Sequence, residues 1–268
     1  IIPTKGAKLY VYLPTDLDFG LPFLINGDVI PDGSRDRLFW DLDWNKFLFR
    51  TTGFSFVEWL KTLYLKYKNS NSIKLFPDID QLVSGERDGG KSEYLLLFKD
   101  GMLEGFKSVS FVPDTNGKLS LLEEMVYDST DLLDFMEEDY FRMVTGILKP
   151  IVHSSYSRDG VIKDLITKFG LGELFKKENL ISCVKSELFR KWLIIPQNNI
   201  SFLRVLIDKG WLKTFKNEEI FLTRNHGLVS CNACYYDLGD DQSLLSWLEI
   251  SVLNVEVHDS FEAGDLNL

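Results

Sequence analysis

Three groups of residues in this sequence have types and spacings that bear on chemistry. Gly85, Glu86, Arg87, Asp88, Gly89, Gly90, Lys91 and Ser92 match the pattern G-x-x-x-x-G-K-[ST] letter for letter. In that pattern a strand feeds a glycine loop whose amides cradle phosphates, and a helix follows. A helix is expected from Ser92. The strand is not: Gln81-Leu82-Val83 is too short, and Glu86 and Asp88 put carboxylates where phosphate must sit. No apolar strand ending in Asp follows to hold magnesium. Nucleotide binding through Lys91 and Ser92 is therefore the lesser alternative. Cys231 and Cys234 form a single C-x-x-C with His226 upstream. A structural zinc takes four ligands, and only Cys183, His153 and His258 remain to supply them. The pair is read as small buried thiols, with no metal expected. For Ser-His-Asp chemistry there is no G-x-S-x-G elbow and only 3 histidines to choose from.

The third group lies near the N-terminus and is more specific. It reads Leu13-Pro14-Thr15, then Gly20-Leu21-Pro22-Phe23-Leu24-Ile25-Asn26-Gly27, Gly33-Ser34-Arg35-Asp36 and Asp43-Trp44-Asn45. Core packing of Trp44 and Phe47 accounts for the apolar positions, but not for an exposed Ser-Arg-Asp or for Trp44-Asn45. Ser34 reads as a helix N-cap, with Asp36 in the first turn where the dipole favours it. An arginine there opposes the dipole. It is better placed if an anion binds, because free amides and guanidinium then converge on it.

At these residues the chain resembles the sacsin-like, heat-shock-chaperone-related ATPases. They belong to the GHKL superfamily, which also holds gyrase B, MutL and histidine kinases. The likeness is to the transducer, or middle, segment that follows the ATP-binding domain. It covers residues 8 to about 68 and extends to the Phe-x-Pro-x-x-x-Gly stretch at 111–117. Gly33-Ser34-Arg35-Asp36 is similar to the Ser-Arg-Glu at a helix start in the chaperone middle domain. The resemblance implies that Arg35 reaches the γ-phosphate of ATP bound by the preceding domain, with Gly33, Ser34, Asp36 and Asn26 as the supporting loop. Asp36 stands where the family has Glu. The family's catalytic Glu and magnesium-binding Asn helix, its Asp-x-Gly-x-Gly motif and its lid are not in this sequence. The resemblance therefore implies no cofactor held by this chain, and ATP with Mg2+ in the parent protein. It implies the N-terminal ATP-binding domain of the same protein as partner, and leaves room for a protein client. The chain alone is not expected to be an enzyme; its parent is expected to be an ATPase.

These residues have to be positioned by secondary structure. Lys8 to Leu13 alternates like a strand stopped by Pro14, and residues 16–21 read as a loop. Residues 22–27 read as a second strand ending in a turn signal, continued by residues 28–30. Helical spacing runs from Arg35 to about Lys68, with Thr51-Thr52-Gly53 marking a break between two helices. The polar run 69–72 marks a boundary. A transducer-like segment (1–70) is thus expected before an α/β and helical region (71–268). Residues 77–90 read as a loop, and further helices are expected over 92–106, 131–153, 159–175, 180–192 and 200–211, with the end (244–257) mixing helix and strand. The fold class is α/β (α+β): a small mixed sheet with packed helices, then a helix-rich region with short β-hairpins. Residues 111–120 align without gaps on 221–230, placing Gly117 on Gly227, and each copy reads strand, glycine turn, short strand after a helix. A duplicated helix-plus-hairpin module suits an interaction scaffold, the second function class; a recurring hairpin is the simpler account.

Composition narrows the classes further. Lys+Arg 30 against Asp+Glu 40 gives a net charge of −10 in 268 residues. An acidic chain without a Lys/Arg stripe is not expected to bind nucleic acid through phosphate neutralisation. Its apolar runs are too short to span a bilayer, so no membrane is expected. Nothing at the N-terminus reads as a signal peptide, and a first residue other than Met suggests a piece of a longer protein. Cys 3, an odd number, argues against a disulfide framework and for a reducing, cytoplasmic setting.

Overall fold

Tyr12, with a backbone φ of +58°, turns the N-terminal alternation into a hairpin rather than one strand. This is seen in a computed structural model that describes residues 8–78, 80, 91–157, 160–236 and 251–266. Strand β1 (Lys8–Val11) reverses at Tyr12 and returns antiparallel as β2 (Leu13–Asp18). Strand β3 (Ile25–Asn26) pairs parallel with β1, giving the order β2-β1-β3. Pro14 was expected to end a strand but lies inside β2, and residues 16–18 are strand rather than loop. The proline is tolerated because β2 is an edge strand, where a missing N–H interrupts no central ladder.

The chain divides into two compact units, Ile1–Tyr127 with Lys149–Leu174, and Asp128–Leu148 with Phe175–Leu268. The first is organised by α1 (Asp43–Tyr67) and α2 (Lys91–Ser108). Helix α1 runs unbroken through Thr51, Thr52 and Gly53, which corrects the expected break. Gly53 is a contact and not a stop: a Cβ there would overlap the Phe98 carbonyl oxygen. Likewise one on Gly101 would overlap the Arg50 carbonyl, and one on Gly105 would crowd Val57. The three glycines let the two helices touch backbone to backbone. Around that crossing Phe49, Phe56 and Leu60 of α1 bury against Tyr94, Phe98, Met102 and Phe106 of α2, with Leu9, Leu17 and Phe19 closing the core from the sheet. The polar run 69–72 lies inside this unit. It opens a 3-10 helix, Ser70–Leu75, whose buried Ser72 hydroxyl is 2.9 Å from the Tyr156 hydroxyl.

Each unit contains one copy of the same small motif. In the first, α2 leads into β4 (Val112–Pro113) and β5 (Leu119–Ser120), then a 3-10 turn at Leu122–Glu124. In the second, the helix Pro196–Asp208 and a short turn of helix (Leu212–Phe215) lead into strands Phe221–Leu222 and Leu228–Val229, then a 3-10 turn at Cys231–Ala233. Key main-chain hydrogen bonds correspond. The Asp114 N–H donates to the Lys118 carbonyl as that of Thr223 does to Gly227. The Thr115 N–H donates to the Ile151 carbonyl as that of Arg224 does to Val252. A returning segment bridges Asp114 to Val152 in one copy and Thr223 to Leu253 in the other. The next residue caps a short helix in each: His153 Nδ1 accepts from the Ser155 N–H, and Asn254 Oδ1 from the Glu256 N–H. This register corrects the ungapped alignment by one residue. Gly117 corresponds to His226, and not to Gly227.

In the second unit the long helices expected from periodicity are divided by caps. The stretch expected over 131–153 becomes a 3-10 turn (Leu132–Asp134) and a helix (Glu138–Thr145) closed by left-handed Gly146. Ser186 accepts the Phe189 N–H and splits 180–192 into Lys177–Val184 and Glu187–Leu193. In the first unit, Val161–Phe169 stops at left-handed Gly170, short of the expected 175. The second core is built on Phe189, Phe202 and Phe215, with ring centroids 5.2 and 6.1 Å apart along that series. Among the described residues no helix is long and apolar enough to cross a membrane. The observed architecture is α+β: small sheets of two or three strands among packed helices.

Candidate functional site

The helix expected from Arg35 does not exist. Residues 30–39 form a closed loop, and α1 starts only at Asp43 with Leu42 at its N-cap position. The loop is stitched at its base by a bridge between Pro31 and Leu38 and by the Asp32 N–H donating to the Arg37 carbonyl, 3.0 Å. At its tip, Asp32 Oδ1 accepts from the Ser34 N–H (3.2 Å), the Ser34 hydroxyl (2.7 Å) and the Arg35 N–H (2.9 Å). An Asp that accepts the N–H groups two and three residues on could equally cap a helix, so this acceptor alone does not exclude one; the backbone of Arg35 does. Arg35 has φ +63°, a left-handed conformation incompatible with a helix start. Ser34 is consequently a turn residue and not an N-cap, and its hydroxyl also meets the Asp36 carboxylate. The Ser34 hydroxyl, followed by the turn amides, holds the Asp32 carboxyl below the usual carboxylate range.

Arg35 is fixed from both sides. Its N–H is held by Asp32, and its carbonyl accepts the Asp16 N–H of β2 at 3.2 Å. The side chain is half-buried, while Gly33, Ser34, Asp36 and Arg37 are exposed. Among the described residues, none of the ion pairs involves Arg35. Gly33 needs no special conformation, and a Cβ there would meet nothing within 4 Å.

Asn45, Asp32 and Tyr94 carry the loop. From sequence, Pro31-Asp32-Gly33-Ser34 reads as a turn and Asn45 as part of the N-terminal signature, neither with a partner, and Tyr94 has no role. Asn45 is fully buried in the first turn of α1. Its Oδ1 accepts the Ile30 N–H at 2.7 Å, and its Nδ2 donates to the carbonyls of Ile30 (2.9 Å) and Phe39 (3.1 Å). One side-chain amide thus pairs with both polar groups of Ile30 as a neighbouring strand would. The Trp44 indole N–H donates to the Asp28 carbonyl at 2.9 Å. The Tyr94 hydroxyl donates to the Trp40 carbonyl at 3.1 Å, and burial pushes its pKa up to about 12, partly offset by Asn45. The signal was present as Trp44-Asn45 and as Asp32 before Gly33, a turn-forming pair.

The remaining expected residues lie elsewhere. Asn26 is on β3, with β1 between it and the β2 strand whose Asp16 holds the Arg35 carbonyl. It lines a groove of about 270 Å³ with Phe23, Leu24, Phe56 and Trp59. Lys91 and Ser92 open α2, and residues 85–90 of the glycine-rich match lie outside the described residues. So do residues 244–250 of the helix-and-strand mixture expected over 244–257; residues 252 and 253 bridge, and Val255–His258 is helical. Burial pushes the Cys234 thiol up to about 12 and the Cys183 thiol to about 11. Among the described residues no three His, Cys, Asp or Glu side chains gather as a metal site. Compared with known proteins, the chain matches no family model, no curated protein and no solved structure.

Proposed function

We propose that this chain is the post-ATPase, middle region of a chaperone-like GHKL ATPase. It couples the nucleotide state of an N-terminal ATP-binding domain to conformational change or client binding. The observation that carries the reading is Arg35: a half-buried arginine held left-handed by two backbone tethers, with no ion pair among the described residues. Non-glycine residues in this conformation cost about 1–2 kcal/mol, and such outliers concentrate where a side chain has to be aimed. A guanidinium offers a planar fork to a phosphate, and fixing its backbone in advance lowers the cost of meeting one. ATP and Mg2+ belong to the preceding domain in this reading, and the setting is cytoplasmic. The helix dipole plays no part, since no helix begins at Ser34.

Hydrogen exchange on the full-length protein tests the coupling. Amides of residues 30–39 are expected to slow with a non-hydrolysable ATP analogue and not with ADP. Equal exchange in both states removes the support. A second reading, a protein-interaction scaffold without a nucleotide role, is favoured by the motif present once in each unit. It predicts that client binding persists unchanged without nucleotide.

A further inference from the structure

We infer that Asp32 is the positioning residue for Arg35, an inference that rests on the coupling reading above. Three observations bear on it. The same carboxylate oxygen accepts the Arg35 N–H, the Ser34 N–H and the Ser34 hydroxyl, so it fixes the peptide that sets the direction in which Arg35 leaves the backbone. The Asp32 main chain closes the loop as well: its N–H donates to the Arg37 carbonyl and its carbonyl accepts the Arg35 N–H at 3.2 Å. The carbonyl side of Arg35 is held independently by Asp16, so removing the Asp32 carboxylate leaves the Arg35 N–H on the longer bond to the Asp32 carbonyl and loosens one side of the residue while the other stays.

The carboxylate supplies the shorter of the two bonds on the Arg35 N–H, 2.9 against 3.2 Å, and an acceptor for the Ser34 N–H, and so narrows the range of turn conformations around left-handed Arg35. Without it the turn is held more loosely, and the guanidinium swings over a wider range. Misplacement of a catalytic group by about 1 Å can reduce rate by about a hundredfold. The loop base does not depend on Asp32's side chain, since Asn45 pins Ile30 and Phe39. The effect should consequently fall on turnover and not on folding. Ser34 contributes through Asp32 and is a secondary part of the same device.

The test uses the full-length protein and steady-state ATP turnover for Asp32→Ala, Asp32→Asn, Arg35→Ala and the double variant Asp32→Ala with Arg35→Ala. Asp32→Ala is expected to lower kcat by between tenfold and about a hundredfold, with KM within about twofold. Asp32→Asn keeps an amide oxygen that accepts the same donors and should restore most of the loss. The double variant should turn over no more slowly than Arg35→Ala alone, because Asp32 acts through Arg35. Exchange of the Ser34 and Arg35 amides should quicken in Asp32→Ala and stay slow in Asp32→Asn. Where Arg35→Ala is impaired but Asp32→Ala matches wild type, or the two losses multiply, the positioning inference fails and the coupling reading stands. Where Arg35→Ala turns over at the wild-type rate, both fall.

Discussion

Gly117 and His226 occupy the same position in two copies of one turn, and both are left-handed, at φ +77° and +60°. The N–H of each donates back to the carbonyl three residues earlier, Asp114 in one copy and Thr223 in the other. One copy meets the conformational demand with glycine and the other with histidine. A left-handed backbone costs an L-residue about 1–2 kcal/mol, against about 0.5–1 kcal/mol for the extra freedom of glycine in the unfolded chain. Gly117→Ala should therefore destabilise by about 1 kcal/mol, and His226→Gly should stabilise by about 0.5 kcal/mol. Denaturant titration of both variants checks the pair; a loss from His226→Gly would mean that the imidazole makes contacts worth more than the strain.

Asn45 predicts a larger effect. Its amide is the partner of both polar groups of Ile30 and of the Phe39 carbonyl, with no exposure to water. Asn45→Ala takes the acceptor from the Ile30 N–H and leaves the two carbonyls on longer bonds, Ile30 to the Phe39 N–H and Phe39 to the Leu42 N–H and the Tyr94 hydroxyl, at a cost of about 2 kcal/mol. The expected drop in midpoint is measured by urea unfolding, and a change below about 1 kcal/mol would show that the loop rearranges to satisfy itself.

Two glycines separate a packing role from a loop role. Gly53→Ala forces the α1 and α2 backbones apart at the Phe98 carbonyl and should cost about 3 kcal/mol or more. Gly33→Ala meets nothing and should stay within about 0.5 kcal/mol of wild type. Equal melting temperatures for the two variants would contradict the helix crossing described here.

How much was readable in advance follows the physics of each element. The interiors of α1 and α2 were visible because their buried faces repeat at the helical period. The start of α1 was not, because left-handed Arg35, its carbonyl held by the Asp16 N–H of β2, stops a helix that the preceding Asp32 turn could otherwise have capped. Gly53 was read as a breaker because its partner, the Phe98 carbonyl, lies far off in sequence. The duplicated turn was found, yet matching glycine to glycine shifted it by one. Structure aligns left-handed residues, and His226 does not look like one in sequence. Arg35 was legible as a residue out of place; the clamp by Asn45 required knowing which carbonyls the first turn of α1 faces.

The cysteines yield a pH-dependent expectation. With pKa values near 11 and 12, Cys183 and Cys234 are protonated at pH 8, with about one in a thousand or fewer as the reactive thiolate. Cys231 is more exposed and shifted upward less by burial. Alkylation of the native chain at pH 8 should label Cys231 first and the other two only on unfolding. Rapid labelling of all three would show that the second unit opens readily.

The central claim is tested most directly by ATP turnover and melting temperature measured together on full-length Arg35→Ala. An arginine completing a phosphoryl-transfer site is worth about 10³–10⁵ in rate. The account predicts a loss approaching that range, nucleotide affinity within about twofold, a melting temperature within a few degrees of wild type, and only partial recovery in Arg35→Lys, which lacks the planar fork. Wild-type turnover with a lowered melting temperature would contradict it, and would leave Arg35 as a structural residue of the loop.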